Sequence, residues 1–198
     1  MNPDQDLAAI RSMMERSSRF LSLSGFSGVL AGLYALIGAY LASEWLGFRP
    51  DAYAYETPHA RELAILAGSV LALALSTAMW FSARDEAAKG RRVWTATTRL
   101  LMSRLLLPVA VGGAAILVAA WQGYLGLAVP LSLIFYGLAL FSASVFTIPE
   151  IAGLGLTQTV LGLASWVWIS FSIEIWALGF GAAHILYGAY IHHRYRRA

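Results

Sequence analysis

Apolar residues run along this chain in long, nearly uninterrupted stretches separated by short polar segments, a pattern too continuous for half-buried strands or soluble amphipathic helices. Six stretches reach the roughly 20 residues that a helix needs to cross ~30 Å of hydrocarbon. They run about Leu21–Ser43, Pro58–Ser82, Leu100–Gln122, Gly126–Thr147, Glu150–Phe171 and Glu174–His192. Backbone polar groups in lipid must be satisfied within the segment, so each stretch predicts a transmembrane helix. Gln122-Gly123-Tyr124, Thr147-Ile148-Pro149-Glu150 and Ser172-Ile173-Glu174 read as tight turns, while Glu44–Thr57 and Ala83–Arg99 are longer connections. The predicted fold class is all-α, a polytopic bundle of six spans over residues 21–198.

The first twenty residues follow a different period. Leu7, Ile10, Met14 and Leu21 recur at helical spacing, with Ser12, Glu15, Arg16 and Arg19 on the opposite face. Asn2 suits an N-cap, Pro3 the first helical position, and Asp4 and Asp6 the positive end of the helix dipole. Residues 1–20 therefore predict an amphipathic helix lying in the membrane interface, where it anchors to lipid or docks a protein partner. Acidic residues and the lack of a small-residue cleavage site argue against a signal peptide.

Composition fits this picture: 59% of residues are hydrophobic and 13% charged, with a mean hydropathy of +0.64. The absence of cysteine excludes disulfide frameworks, thiolate catalysis and cysteine-held metal clusters. The net charge of +3 does not mark a nucleic-acid binder, because the basic residues flank apolar runs. Of 14 Lys and Arg, all but Arg49 and Arg61 fall on one side of the six-span arrangement. The positive-inside rule then puts both termini in the cytoplasm, and the expected location, with the bacterial resemblance given below, is a bacterial cytoplasmic membrane. Trp45, Tyr53, Tyr55, Trp121, Tyr124 and Trp176 gather at the outer interface, and Trp80, Trp94, Tyr190 and Tyr195 at the inner one. Lys89, Arg91, Arg92, Arg194, Arg196 and Arg197 are the candidate contacts to anionic headgroups on the cytoplasmic side.

Small residues predict which faces meet, since helices in lipid associate where backbones approach closely. The first span carries Ser24, Gly28, Gly32, Ala35, Ala39 and Ala42 on one side and Phe26, Leu30, Leu33 and Ile37 on the other. The fifth carries Ala152, Gly155, Thr159 and Gly162, and the sixth Ala177, Gly181 and Gly188. Gly28 and Gly32 also have the spacing of a homodimer seam.

Chemistry is sparse. Glu150 stands three residues after Thr147 at capping-box spacing, Glu174 follows Ser172 in the same style, and Glu44 and Glu62 sit at outer span ends. His184 is the only ionisable side chain deep in a span, about eight residues or ~12 Å from the cytoplasmic end. Gln158 lies at the same depth with Thr159 beside it, and Ser142, Ser76 and Thr77 are near in depth. These residues predict a buried polar layer in the inner half of the bundle. A neutral imidazole bonded to Gln158 as interhelical glue is the plain reading; a ligand or proton site and a metal or haem ligand are the others, haem lacking a second intramembrane His.

One enzyme pattern arises. Gly25-Phe26-Ser27-Gly28 reads G-x-S-G, and with Ala183-His184 it resembles a rhomboid-like Ser–His dyad; in that family, however, the serine motif opens the fourth span, and here it lies in the first. No zincin motif, P-loop, dinucleotide fingerprint or carboxylate pair accompanies it, so no catalytic residue, metal ligand or cofactor is assigned. The run Ile10-Arg11-Ser12-Met13-Met14-Glu15-Arg16-Ser17-Ser18-Arg19-Phe20-Leu21-Ser22-Leu23-Ser24-Gly25 and the closing Phe180-Gly181-Ala182-Ala183-His184-Ile185-Leu186-Tyr187-Gly188 resemble a group of uncharacterised bacterial polytopic membrane proteins. That resemblance implies the architecture and no activity. The expected role is a non-enzymatic accessory or sensory membrane protein, with a small-solute transporter or channel as the alternative, for which Pro108 and Pro130 are candidate helix breaks.

Overall fold

The computed structural model describes residues 25–88, 90 and 94–195. The interfacial helix expected over 1–20, and Lys89, Arg91, Arg92, Arg196 and Arg197, lie outside these. The described residues form six helical rods and no sheet; an isolated bridge between Tyr55 and Tyr124 is the one strand-like pairing among them. In chain order the rods are α1 (Gly25–Tyr40, continuing as a π-helical turn over Leu41–Trp45), α2 (Ala60–Ala88), α3 (Ala96–Trp121), α4 (Ala128–Ala143) and α5 (Glu150–Val167). The sixth rod is composite: α6 (Ser172–Trp176), a π-helical segment (Ala177–Ala183) and α7 (His184–Tyr195).

Five of the rods are long and apolar enough to cross a membrane; α5 is not among them, since Glu150 and Gln158 lower its hydropathy. The chain thus has the architecture of a helical membrane protein. Boundaries differ from expectation by a few residues where local chemistry intervenes. Helix α3 starts at Ala96 instead of Leu100 because the Thr95 hydroxyl caps it, accepting from the Thr98 N–H at 3.2 Å. Neither proline breaks a helix: Pro108 sits inside the unbroken α3, and Pro130 falls in the first turn of α4, where no intrahelical N–H bond is required. The irregularities are instead the two π-helical segments.

The small-residue faces pack within the chain. A Cβ at Gly28 would lie 3.2 Å from the Gly188 Cα, and one at Gly32 would lie 2.6 Å from the Gly181 carbonyl oxygen. The first and last rods therefore touch backbone to backbone, so the Gly28–Gly32 face is filled by the chain's own last helix and is not open as a dimer seam. On α5, a Cβ at Gly155 would meet the Gly137 carbonyl oxygen at 2.7 Å, which fixes α4 against α5. Phe26, Leu33 and Ile37, on the far face of α1, are exposed as their spacing requires.

Packing is uneven. The α4–α5 pair and the contact of α1 with the last rod form the centre; α2 is held mainly by α1, and α3 mainly by α4. Glu86 is the one buried residue of α2, and Thr98, Leu101 and Gly112 are those of α3. At one end of the bundle the loops interlock: Tyr53 donates its hydroxyl to the Trp166 carbonyl at 2.9 Å, the Gly126 N–H donates to the Tyr53 carbonyl, and Phe48 stacks edge-on against Tyr55. At the other end Glu150 reaches Arg194 at 3.4 Å.

Candidate functional site

Polar side chains inside a helical bundle need partners, and the composite last rod supplies one through its backbone. In the π-helical segment the Gly179 carbonyl accepts from side chains: the Gln158 Nε2 donates to it at 2.7 Å, and the His184 Nδ1 lies at 3.1 Å. The other ring nitrogen, Nε2, stands 3.0 Å from the Tyr136 hydroxyl of α4. With the proton on Nδ1, the ring donates to Gly179 and accepts from Tyr136; with it on Nε2, the ring donates to Tyr136 and accepts from Gln158 Nε2, 3.3 Å from Nδ1. Either tautomer satisfies both nitrogens of a neutral imidazole. The Gln158 amide is oriented by the carbonyl, since a flipped amide would turn its oxygen toward the Gly179 oxygen.

The register explains why Gln158 meets Gly179. Helix α5 and the last rod form a hairpin turning at Trp168–Ile169, and the two residues stand ten positions to either side (168 − 158 and 179 − 169). Gly179 has no room for a side chain: a Cβ there would lie 2.7 Å from both Gln158 Oε1 and Leu133 Cδ2. Three positions to either side of the turn, Ser165 and Ser172 take matching places (168 − 165 and 172 − 169). Their hydroxyls and Gln158 Oε1 are buried without a hydrogen-bond partner among the described residues. Ser172 is therefore not a helix cap, contrary to its spacing from Glu174; the residue at the cap position is Phe171.

An aromatic ladder covers the polar contact. Trp176, Phe180 and His184 recur every four residues along the last rod; the Phe180 ring lies nearly parallel to the imidazole, 10° between planes at 5.8 Å, and 4.9 Å from Tyr136. Trp176 sits 4.8 Å from Phe180 and donates its indole N–H to Ser132. Gln158 is fully buried and His184 is 8% exposed, so this layer is closed to solvent.

Of the residues expected in the polar layer, the structure brings together His184 and Gln158. Thr159 bonds back to the Gly155 carbonyl and packs on Gly137 at the α4–α5 contact. Thr77 pairs with Tyr34 at 3.4 Å between α1 and α2, and Ser76 returns to the Leu73 carbonyl. Ser142 lies on α4 six residues beyond Tyr136, half-buried and without a bond to His184. Depth is one coordinate of three, and α1 separates α2 from the His184 cluster. Tyr136 and Gly179 are the members that sequence reasoning missed. A phenol in an apolar span needs a hydrogen-bond partner, and that was the available signal for Tyr136; nothing in the sequence marks the Gly179 carbonyl.

The imidazole is engaged by α4, α5 and its own rod, so neither ring nitrogen is directed at Ser27. Glu150 forms an ion pair with Arg194, and the helix it begins has Pro149 at its cap position. Arg194 is also engaged within the chain, donating to Tyr190, while its side chain stays more than half exposed. Among the described residues no group of three or more potential metal ligands converges. Comparison with known proteins finds no matching family model, no matching curated protein and no matching solved structure.

Proposed function

We infer that this chain is a non-enzymatic accessory protein of the bacterial cytoplasmic membrane that works by lateral association with another membrane protein. In this reading it crosses six times with both termini cytoplasmic, supported by the 12-to-2 partition of basic residues. The observation that carries the role is the closure of the polar layer. A transport pathway needs water or substrate at its polar groups, whereas His184 and Gln158 are buried and bonded inside the bundle. Helices α2 and α3, each held mainly by one neighbour, leave long apolar faces for a partner. Lys89, Arg91, Arg92, Arg194, Arg196 and Arg197 contact anionic headgroups on the cytoplasmic side.

The alternative, a small-solute transporter or channel, draws on a cavity at the Glu44 end of the bundle. Its deepest residue on the last rod is Ala177, seven positions or about 10 Å short of His184. Photo-crosslinking amino acids at the exposed Leu71 and Leu107 test the association in cells. One discrete protein adduct is expected, and an adduct of twice the chain's mass would identify a second copy as the partner. Adducts to lipid alone, or His184-dependent proton or potassium flux in proteoliposomes, would overturn the reading.

A further inference from the structure

The cavity at the Glu44 end, about 450 Å³, lies between the first and last rods where both are π-helical or adjoin π-helical turns. π-Helical turns recur at functional sites. Its lining changes character along the bundle axis. Leu36, Ala39, Ile173 and Ala177 form an apolar floor, and Glu44, Arg49 and Glu174 form a charged rim. From Leu36 to Glu44 is eight residues, or ~12 Å, the passage from hydrocarbon into the headgroup region. Arg49 donates to Glu44, which neutralises that carboxylate, while Glu174 has no ion-pair partner among the described residues. The rim therefore carries two carboxylates and one guanidinium, a net charge of −1. Leu36, Ile37 and Tyr40 are exposed on the flank, where an acyl chain would leave the cavity into surrounding lipid.

We propose that this cavity binds the headgroup of a zwitterionic, primary-amine-bearing phospholipid, its ammonium on Glu174 and its phosphate on Arg49. The apolar floor receives the part of the molecule nearest the glycerol, which a freely soluble zwitterion lacks. An anionic lipid meets a rim of its own sign. A quaternary ammonium has no N–H to give a carboxylate and relies on an aromatic cage, and Tyr40 is the one ring in the lining.

Native mass spectrometry of the full chain, titrated with phosphatidylethanolamine, phosphatidylcholine and phosphatidylglycerol of identical acyl composition, tests the site. Phosphatidylethanolamine should be retained most strongly. Glu174→Gln should weaken it about 5-fold, the scale of one partly exposed charge pair, while phosphatidylcholine retention stays unchanged, which also reports that the variant is folded. Glu62→Gln, an exposed carboxylate outside the cavity, should change nothing. Equal retention of phosphatidylglycerol, or insensitivity to Glu174→Gln, would overturn the proposal. Displacement by water-soluble phosphoethanolamine at equal concentration would do so too, because it would make the ligand a soluble zwitterion.

Discussion

His184 shows how one polar side chain is accommodated where water is absent. Its two nitrogens face a hydroxyl and a carbonyl from different elements, so removing the ring strands groups on both sides. His184→Leu should destabilise the bundle by about 0.6–2 kcal/mol in reversible unfolding from lipid–detergent bicelles, with His184→Asn recovering most of the loss. A double-mutant cycle with Tyr136→Phe should return a coupling of about 0.6–1.7 kcal/mol; zero coupling would mean that the 3.0 Å contact contributes nothing. Ser165 poses the reverse case. Its hydroxyl is buried without a partner among the described residues, so Ser165→Ala should be neutral or stabilising by up to about 1 kcal/mol in the same assay. Both ring nitrogens of His184 are engaged away from Ser27, and a fluorophosphonate probe should leave the purified protein unlabelled; labelling lost in both Ser27→Ala and His184→Ala would make it an enzyme.

Among the helices, glycine means different things in different places. In the seam between the first and last rods a Cβ at Gly188 would lie 2.6 Å from the Gly25 carbonyl oxygen and the Val29 nitrogen, both backbone and unable to give way. Gly188→Ala should therefore cost about 1–3 kcal/mol through overpacking. Gly113 in α3 has open space around it, and Gly113→Ala should be neutral or gain up to about 1 kcal/mol from helix propensity. Equal effects at both positions, read by thermal unfolding, would contradict the packing described. The contrast was partly legible in the chain, because Gly28, Gly32, Gly181 and Gly188 form stripes at helical spacing. Which stripe meets which was not, since a stripe marks a face and names no partner.

For the molecule as a whole, the loops at 46–59 and 122–127 and the last turn of α5 meet at one end, through Tyr53 with Trp166 and Tyr55 with Tyr124. Six crossings would place that end opposite both termini. Single cysteines at Ala54 and Ala198 should accordingly label from opposite sides of the membrane in intact cells, and labelling from the same side would overturn the six-span topology.

Hydropathy along the chain was sufficient for the helical class and approximate ends of the described rods, and marks five of the six as spans, because in lipid each segment must satisfy its own backbone and the signal is local. The same held for the depth of His184 and Gln158, which follows from counting along a helix of fixed rise. The order in which the helices pack is not local: it depends on how six faces are shared around a bundle. Only the tertiary arrangement set Tyr136 against His184, moved Thr77 and Thr159 to other contacts and paired Glu150 with Arg194. It also produced the π-helical segment, where the Gly179 carbonyl accepts from Gln158 and lies beside His184 Nδ1, an outcome of packing that no residue pattern announces.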